Sequence, residues 1–149
     1  MFKTISTFVA GICAALFLVM AAPVLAAEIN WQRSYSDALA VSKSENKPIM
    51  VVFTADWCVF CKKLENQTFT DPKIINIINN NFIAVKIDKD KETKIANDFN
   101  VAGIPDMYFL TPFSMENGVK TIARQLGFIK VEDLLPGLQK IADRYTNQP

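Results

Sequence analysis

Apolar residues recur along the chain in two distinct rhythms, and their alternation predicts the order of elements. Positions 34–46 are polar with apolar marks at Tyr35, Ala38, Leu39 and Val41, the spacing of a short amphipathic helix. Lys47-Pro48 ends it, and residues 49–53 (Ile-Met-Val-Val-Phe) form a continuous apolar run, as in a strand covered on both faces. Thr54 to Trp57 turn the chain into a helix over 58–66. Thr70-Asp71-Pro72 reads as a helix start with proline in the first turn, and Ile74, Ile75, Ile77 and Ile78 give that helix its buried side. Residues 82–87 predict a second buried strand. Residues 90–100 predict a charged helix burying Ile95, Ala96 and Phe99. A strand over 107–110, a turn at Asn117-Gly118 and an antiparallel return over 119–125 follow. Val131, Leu134, Leu135, Leu138, Ile141, Ala142 and Tyr145 place a helical stripe on the last element, where Pro136 sits close enough to the start to be tolerated. This order predicts one α/β domain over residues 27–149: a mixed central sheet with helices on both faces, its early strands parallel through right-handed crossovers.

The first 26 residues break that pattern. After Lys3 no charge occurs until Glu28, and residues 8–22 are almost wholly apolar. A short basic start, an apolar middle and Val24-Leu25-Ala26 make a secretory signal peptide, with cleavage expected after Ala26 and Pro23 ending the apolar helix. The alternative is an uncleaved anchor, since the run is long enough to span a bilayer. Cleavage implies an exported, periplasmic protein in an oxidising space where disulfides persist.

Composition narrows the chemistry. The chain has 149 residues, three cysteines, no histidine and a formal charge of +1. Near-neutral charge argues against nucleic-acid binding, which needs a surplus of Lys and Arg. The absence of histidine removes Ser-His-Asp and Cys-His nucleophiles, His-ligated metal sites and axial-His haem. Cys13 leaves with the signal, so the mature chain holds Cys58 and Cys61, and the loss of Lys3 brings its formal charge to zero.

These two cysteines follow a buried strand and open a helix, where unpaired N–H groups and the helix dipole favour a thiolate on Cys58. Cys61, one turn further in, is expected to be less exposed and to act second. A structural disulfide remains open, although so short a ring stabilises weakly. Zinc and iron–sulfur sites need about four ligands, and haem attachment needs histidine where Lys62 stands. No metal is expected, and redox chemistry is favoured.

The strand 49–53, the segment Ala55-Asp56-Trp57-Cys58-Val59-Phe60-Cys61-Lys62 and Gly103-Ile104-Pro105 together resemble the thioredoxin superfamily. The style of the motif, with Thr68-Phe69-Thr70-Asp71-Pro72, is similar to exported thioredoxin-like proteins and to the C-terminal domain of the transmembrane Dsb electron conductor. The resemblance implies that Cys58 attacks, that Cys61 resolves, and that Pro105 is a cis-proline presenting the Ile104 backbone to a substrate chain. Trp57, Val59 and Phe60 would form an apolar rim around an exposed sulfur. The chain departs from the family at Val52, where thioredoxins usually carry a buried acid. Asp56, near in sequence, is expected to face the surface. Lys86 matches a strand lysine that often neighbours that acid. Asp106 stands where threonine is common, adding a charge expected near the groove and unfavourable to a Cys58 thiolate.

The expected function is exported thiol–disulfide exchange, with reduction favoured over oxidation because the motif resembles the reducing branch. The dithiol itself carries the electrons, so no bound cofactor is expected. Expected partners are protein thiols or disulfides and a membrane electron conductor, and a monomer is expected. A binding module or chaperone with a non-cycling disulfide is the alternative of another class; a disulfide oxidase or isomerase is a further one.

Overall fold

The computed structural model describes residues 27–146, so the expected signal segment lies outside the described residues. The elements run β1 (Trp31–Gln32), α1 (Tyr35–Glu45), β2 (Ile49–Thr54), α2 (Val59–Gln67), α3 (Pro72–Asn81), β3 (Ile83–Asp88), α4 (Thr93–Asp98), β4 (Asp106–Leu110), β5 (Thr121–Leu126) and α5 (Val131–Thr146). The five-stranded sheet has the order β1-β3-β2-β4-β5. β3 lies parallel to β1 and β2, while β4 runs antiparallel to β2 and β5.

Local chemistry sets the helix boundaries. Ser34 caps α1 by accepting the Asp37 N–H at 3.0 Å, and Asn46 ends it in the left-handed conformation at φ 52°. Asp71 caps α3 by accepting the Lys73 and Ile74 N–H groups, with Pro72 in the first turn, where its missing donor costs nothing. The strand β1 is a structural addition to the sequence reading. Two partly buried residues carry too little pattern to be seen, and they become a strand by pairing with Ala84 and Val85.

Alternating strand residues supply two cores. Met50, Val52, Ala84, Met107 and Phe109 face α2, α3 and α5, where Leu64, Ile74, Ile78, Leu134 and Leu138 close over them. Ile49, Val51, Phe53, Val85, Ile87, Tyr108 and Leu110 form the other side, with Ala38 of α1 and Ala96 of α4. Burial on both faces explains the continuous apolar runs of β2 and β3.

Two boundaries and one helix interior differ from the expectation. The charged segment over 90–100 is helical only across Thr93–Asp98; Ala96 is buried, whereas Ile95 and Phe99 are partly buried against the core. The hairpin closes through Ser114 and Gly118, which exchange backbone hydrogen bonds, with Gly118 at φ 63°; β5 then starts at Thr121. Pro136 is the sixth residue of α5, beyond the first turn, so the helix continues through a position that cannot donate to the preceding turn.

Candidate functional site

The candidate site lies at the edge of the sheet where β2 ends and β4 begins. Phe53 is registered against Asp106, so the turn leaving β2 and the Pro105 segment entering β4 occupy the same edge. Leu126 pairs with Asp106 from the other side and brings the end of β5 to that edge as well.

Cys58 is the N-cap of α2, in extended conformation with φ −78° and ψ 103°. Its backbone N–H donates to Ala55 O at 3.1 Å, closing the turn from β2. Its Sγ accepts the Cys61 N–H at 3.1 Å, so the sulfur takes the place a serine or aspartate oxygen takes at other helix starts. The Cys58 and Cys61 sulfurs are 2.08 Å apart and form a disulfide. An anionic sulfur released at this position would meet that amide and the positive end of the helix.

Both cysteines are buried in this oxidised state, Cys61 slightly the more so. Cys58 is 4% exposed and Cys61 2%. Trp57, Val59 and Phe60 instead carry the exposed surface, at 64%, 74% and 59%. The exposed surface of the motif therefore belongs to the apolar residues flanking the two cysteines in sequence. Large apolar side chains this exposed are poorly solvated by water and are surface that a partner can cover.

Charged side chains hold the segment just before Cys58. Trp57 Nε1 donates to Asp90 Oδ2 at 2.7 Å. Asp56 is exposed, as expected, and meets Lys91 at 2.9 Å; Lys91 also meets Asp88 at 3.0 Å. Asp56, then Asp88, hold Lys91 more firmly protonated than an ordinary lysine. The hydrogen bond from Lys91, with backbone N–H groups of Asp90 and Lys91, lowers the Asp88 pKa below its usual 3.8. The turn after β3 thus grips the segment carrying Asp56 and Trp57.

Lys86 projects from β3 and pairs with Glu65 of α2 at 2.9 Å, with its ammonium 5.1 Å from the Trp31 ring centroid. Val52, opposite Lys86 in the register, is 3% exposed, so the position where the resemblance led one to expect a buried acid is apolar. Glu65 lies one helical turn after Cys61 and lines a polar cleft of about 580 Å³ with Thr54, Ala55, Asp56, Lys62 and Lys86.

The Ile104–Pro105 peptide bond is cis. Asp106, immediately after it, is fully buried and engages Arg124 through two hydrogen bonds of 2.9 and 2.6 Å. It shares a sheet face with Tyr108 and Leu110, the face away from α2. The charge expected to disfavour a Cys58 thiolate is therefore compensated by a guanidinium and directed to the other side of the sheet. The carboxylate, in turn, holds Arg124 more firmly protonated than usual.

Four contributors escaped the sequence reading: Glu65, Asp90, Arg124 and Leu126. Glu65 carried a signal, its i+4 spacing from Cys61 on a predicted helix. The others reach the site through strand pairing or through contacts between residues distant in sequence, and nothing local marks them. Among the described residues, no group of three or more His, Cys, Asp or Glu is placed to hold a metal ion.

The fold and this dithiol site are those of a thioredoxin-like domain, and the sequence profile of the thioredoxin-like family matches residues 30–112. The chain belongs to that family. It is 36% identical over 101 residues to the thiol:disulfide interchange protein DsbD of Campylobacter jejuni, a match covering 65% of this chain but 17% of that protein. The disulfide bond reductase DsbH of Chlamydia pneumoniae is 28% identical over 100 residues, covering 59% of this chain and 60% of that one. A thioredoxin from Thermus thermophilus superimposes with a TM-score of 0.68 at 21% identity, covering 76% of this chain and 87% of that one, which shows the shared fold.

Proposed function

We propose that this protein is an exported thiol–disulfide oxidoreductase working as a disulfide reductase. The observation that carries the reading is the Cys58–Cys61 disulfide at the N-terminus of α2, flanked in sequence by the exposed apolar residues Trp57, Val59 and Phe60. Reduced Cys58, as thiolate, attacks one sulfur of a substrate disulfide; that bond breaks and a Cys58–substrate mixed disulfide forms. The departing substrate thiolate takes a proton. The Cys61 thiol gives up its proton and attacks Cys58 Sγ, releasing the second substrate thiol and restoring the Cys58–Cys61 disulfide. Two electrons and two protons pass to the substrate. The resemblance to the DsbD and DsbH proteins, the latter carrying the name of a reductase, supports that direction.

The substrates are protein disulfides, whose chains lie over Trp57, Val59 and Phe60 and beside Ile104 and Pro105. A membrane electron conductor returns electrons to Cys58–Cys61. The protein acts as a periplasmic monomer after removal of residues 1–26, needs no bound cofactor and takes no nucleic acid. The same rim also suits a binding module whose disulfide never turns over. Insulin reduction separates the two: Cys58→Ser is expected to abolish turnover, and equal activity in variant and wild type overturns the reductase reading. Cys61→Ser is expected to accumulate mixed disulfides on Cys58. Alkylation in cells that finds the pair mostly oxidised, with purified protein oxidising reduced peptides, overturns the direction.

A further inference from the structure

Asp106 is a fully buried carboxylate that the exchange chemistry does not use. Burying a charge is costly unless it is paired and hydrogen-bonded, and an apolar pair of similar volume is often no less stable. Both Asp106 oxygens are engaged: Oδ1 accepts from Arg124 Nε and Oδ2 from Arg124 Nη2. This two-point geometry sets direction as well as distance. The guanidinium also lies 4.8 Å from the Tyr108 ring centroid, and Tyr108 donates its hydroxyl to Phe99 O at 2.7 Å. Arg124 is thus located by two residues of β4, one of them tied to the end of α4.

The pair stands directly behind the substrate-facing loop. Asp106 follows Pro105 in sequence, and Pro105 O accepts the Gly127 N–H at 2.7 Å. Gly127, at φ 84°, is where the chain leaves β5. A Cβ built on Gly103 would lie 3.6 Å from Leu126 Cδ1, so loop and strand end are already in close approach. Arg124 precedes Leu126 by two residues on the same strand. The ion pair and the Gly127 hydrogen bond therefore pin the Gly103–Pro105 loop to the end of β5 from both sides of Leu126, whose side chain is 55% exposed at the site edge.

We propose that Asp106 and Arg124 are positioning residues for protein substrates: their ion pair locks the Ile104–Pro105 segment and Leu126 into one docking edge. They act through the backbone and touch no reacting sulfur. The proposal rests on the reductase reading, and it predicts a selective defect. Large substrates, which must lie along this edge, need the lock; a small disulfide needs only access to Cys58.

The test uses the double variant Asp106→Val/Arg124→Val, which leaves neither charge buried without its partner and keeps strand-compatible side chains. Reduced wild-type and variant proteins are mixed with insulin and with 2-hydroxyethyl disulfide, and both rate constants are read. The insulin rate is expected to fall about tenfold, within the range that small misplacements of docked groups produce, while the small-disulfide rate stays within about twofold. Amide exchange at Gly127 is expected to speed up, a readout that does not depend on turnover. Equal losses on both disulfides, an unchanged insulin rate, or unchanged Gly127 exchange each overturns the proposal. A wild-type protein inert toward both disulfides overturns the reductase reading, and the substrate role falls with it.

Discussion

Trp57 is 64% exposed and yet its indole is fastened to Asp90, so its orientation owes something to a polar partner 33 residues away. Replacing Asp90 by alanine is expected to cost under about 1 kcal/mol in stability, because water can take the indole N–H at so exposed a position. The ring itself should move faster, which time-resolved fluorescence anisotropy of Trp57 in a Trp31→Phe background checks. Asp88 makes a separate prediction. Its pKa is lowered in the folded protein, so its contribution is present above the ordinary carboxylate range and disappears as pH falls through the lowered value. Asp88→Asn is therefore expected to lower the urea midpoint at pH 7, with the gap from wild type closing in acid. Lys91, whose pKa is raised, contributes across neutral pH and loses its contribution as pH climbs past the ordinary lysine range. At this scale Cys58 and Cys61 were legible because the motif is contiguous. Asp90 was not, since it lies 33 residues from its partner.

The helices show how far local pattern carries and where it stops. α1 begins and ends where Ser34 and Asn46 direct, and α3 begins where Asp71-Pro72 does, because capping joins atoms within a few residues of one another. α5 tolerates Pro136 on its exposed side, because Leu134, Leu138, Ile141 and Ala142 anchor it to the sheet. Pro136→Ala is expected to raise stability by roughly 1–2 kcal/mol, the relieved helix interruption outweighing the extra freedom of the unfolded chain. Leu138→Ala, at a fully buried position, is expected to lower it by about 2–5 kcal/mol. Urea unfolding of the two variants beside wild type checks both. α4 was overextended by the sequence reading, since its charged flanks suit a helix equally well as an ion-paired turn.

In the whole molecule, the two cores separate duties. The face carrying α2, α3 and α5 supports the dithiol helix, while the opposite face holds Asp106, Tyr108 and the aromatic contacts of Phe53 with Phe99 and Tyr108 at 5.2 and 5.8 Å. Both faces meet at the end of the sheet where Cys58 and Pro105 lie, both buried. Export belongs to this scale too. Protein recovered from the periplasm is expected to begin at Ala27, which N-terminal sequencing checks; a chain that retains Met1 and sediments with membranes points to the anchored form.

The amino-acid order alone determined the α/β class, most element positions and the dithiol motif, including the likeness of Gly103-Ile104-Pro105 to a docking loop. The class, the elements and the motif rest on periodicity, capping and contiguous residues, which act over a turn of helix or a single strand, whereas the docking role of that loop came from the resemblance alone. Tertiary structure decided that β1 exists, that Cys58 lies covered in the oxidised state, that Lys86 pairs with Glu65, and that Asp106 turns away to Arg124. Each depends on strand register or on contact between distant segments. A one-residue change of register would send Asp106 to the other face of the sheet, and no local pattern of the chain encodes which face that is.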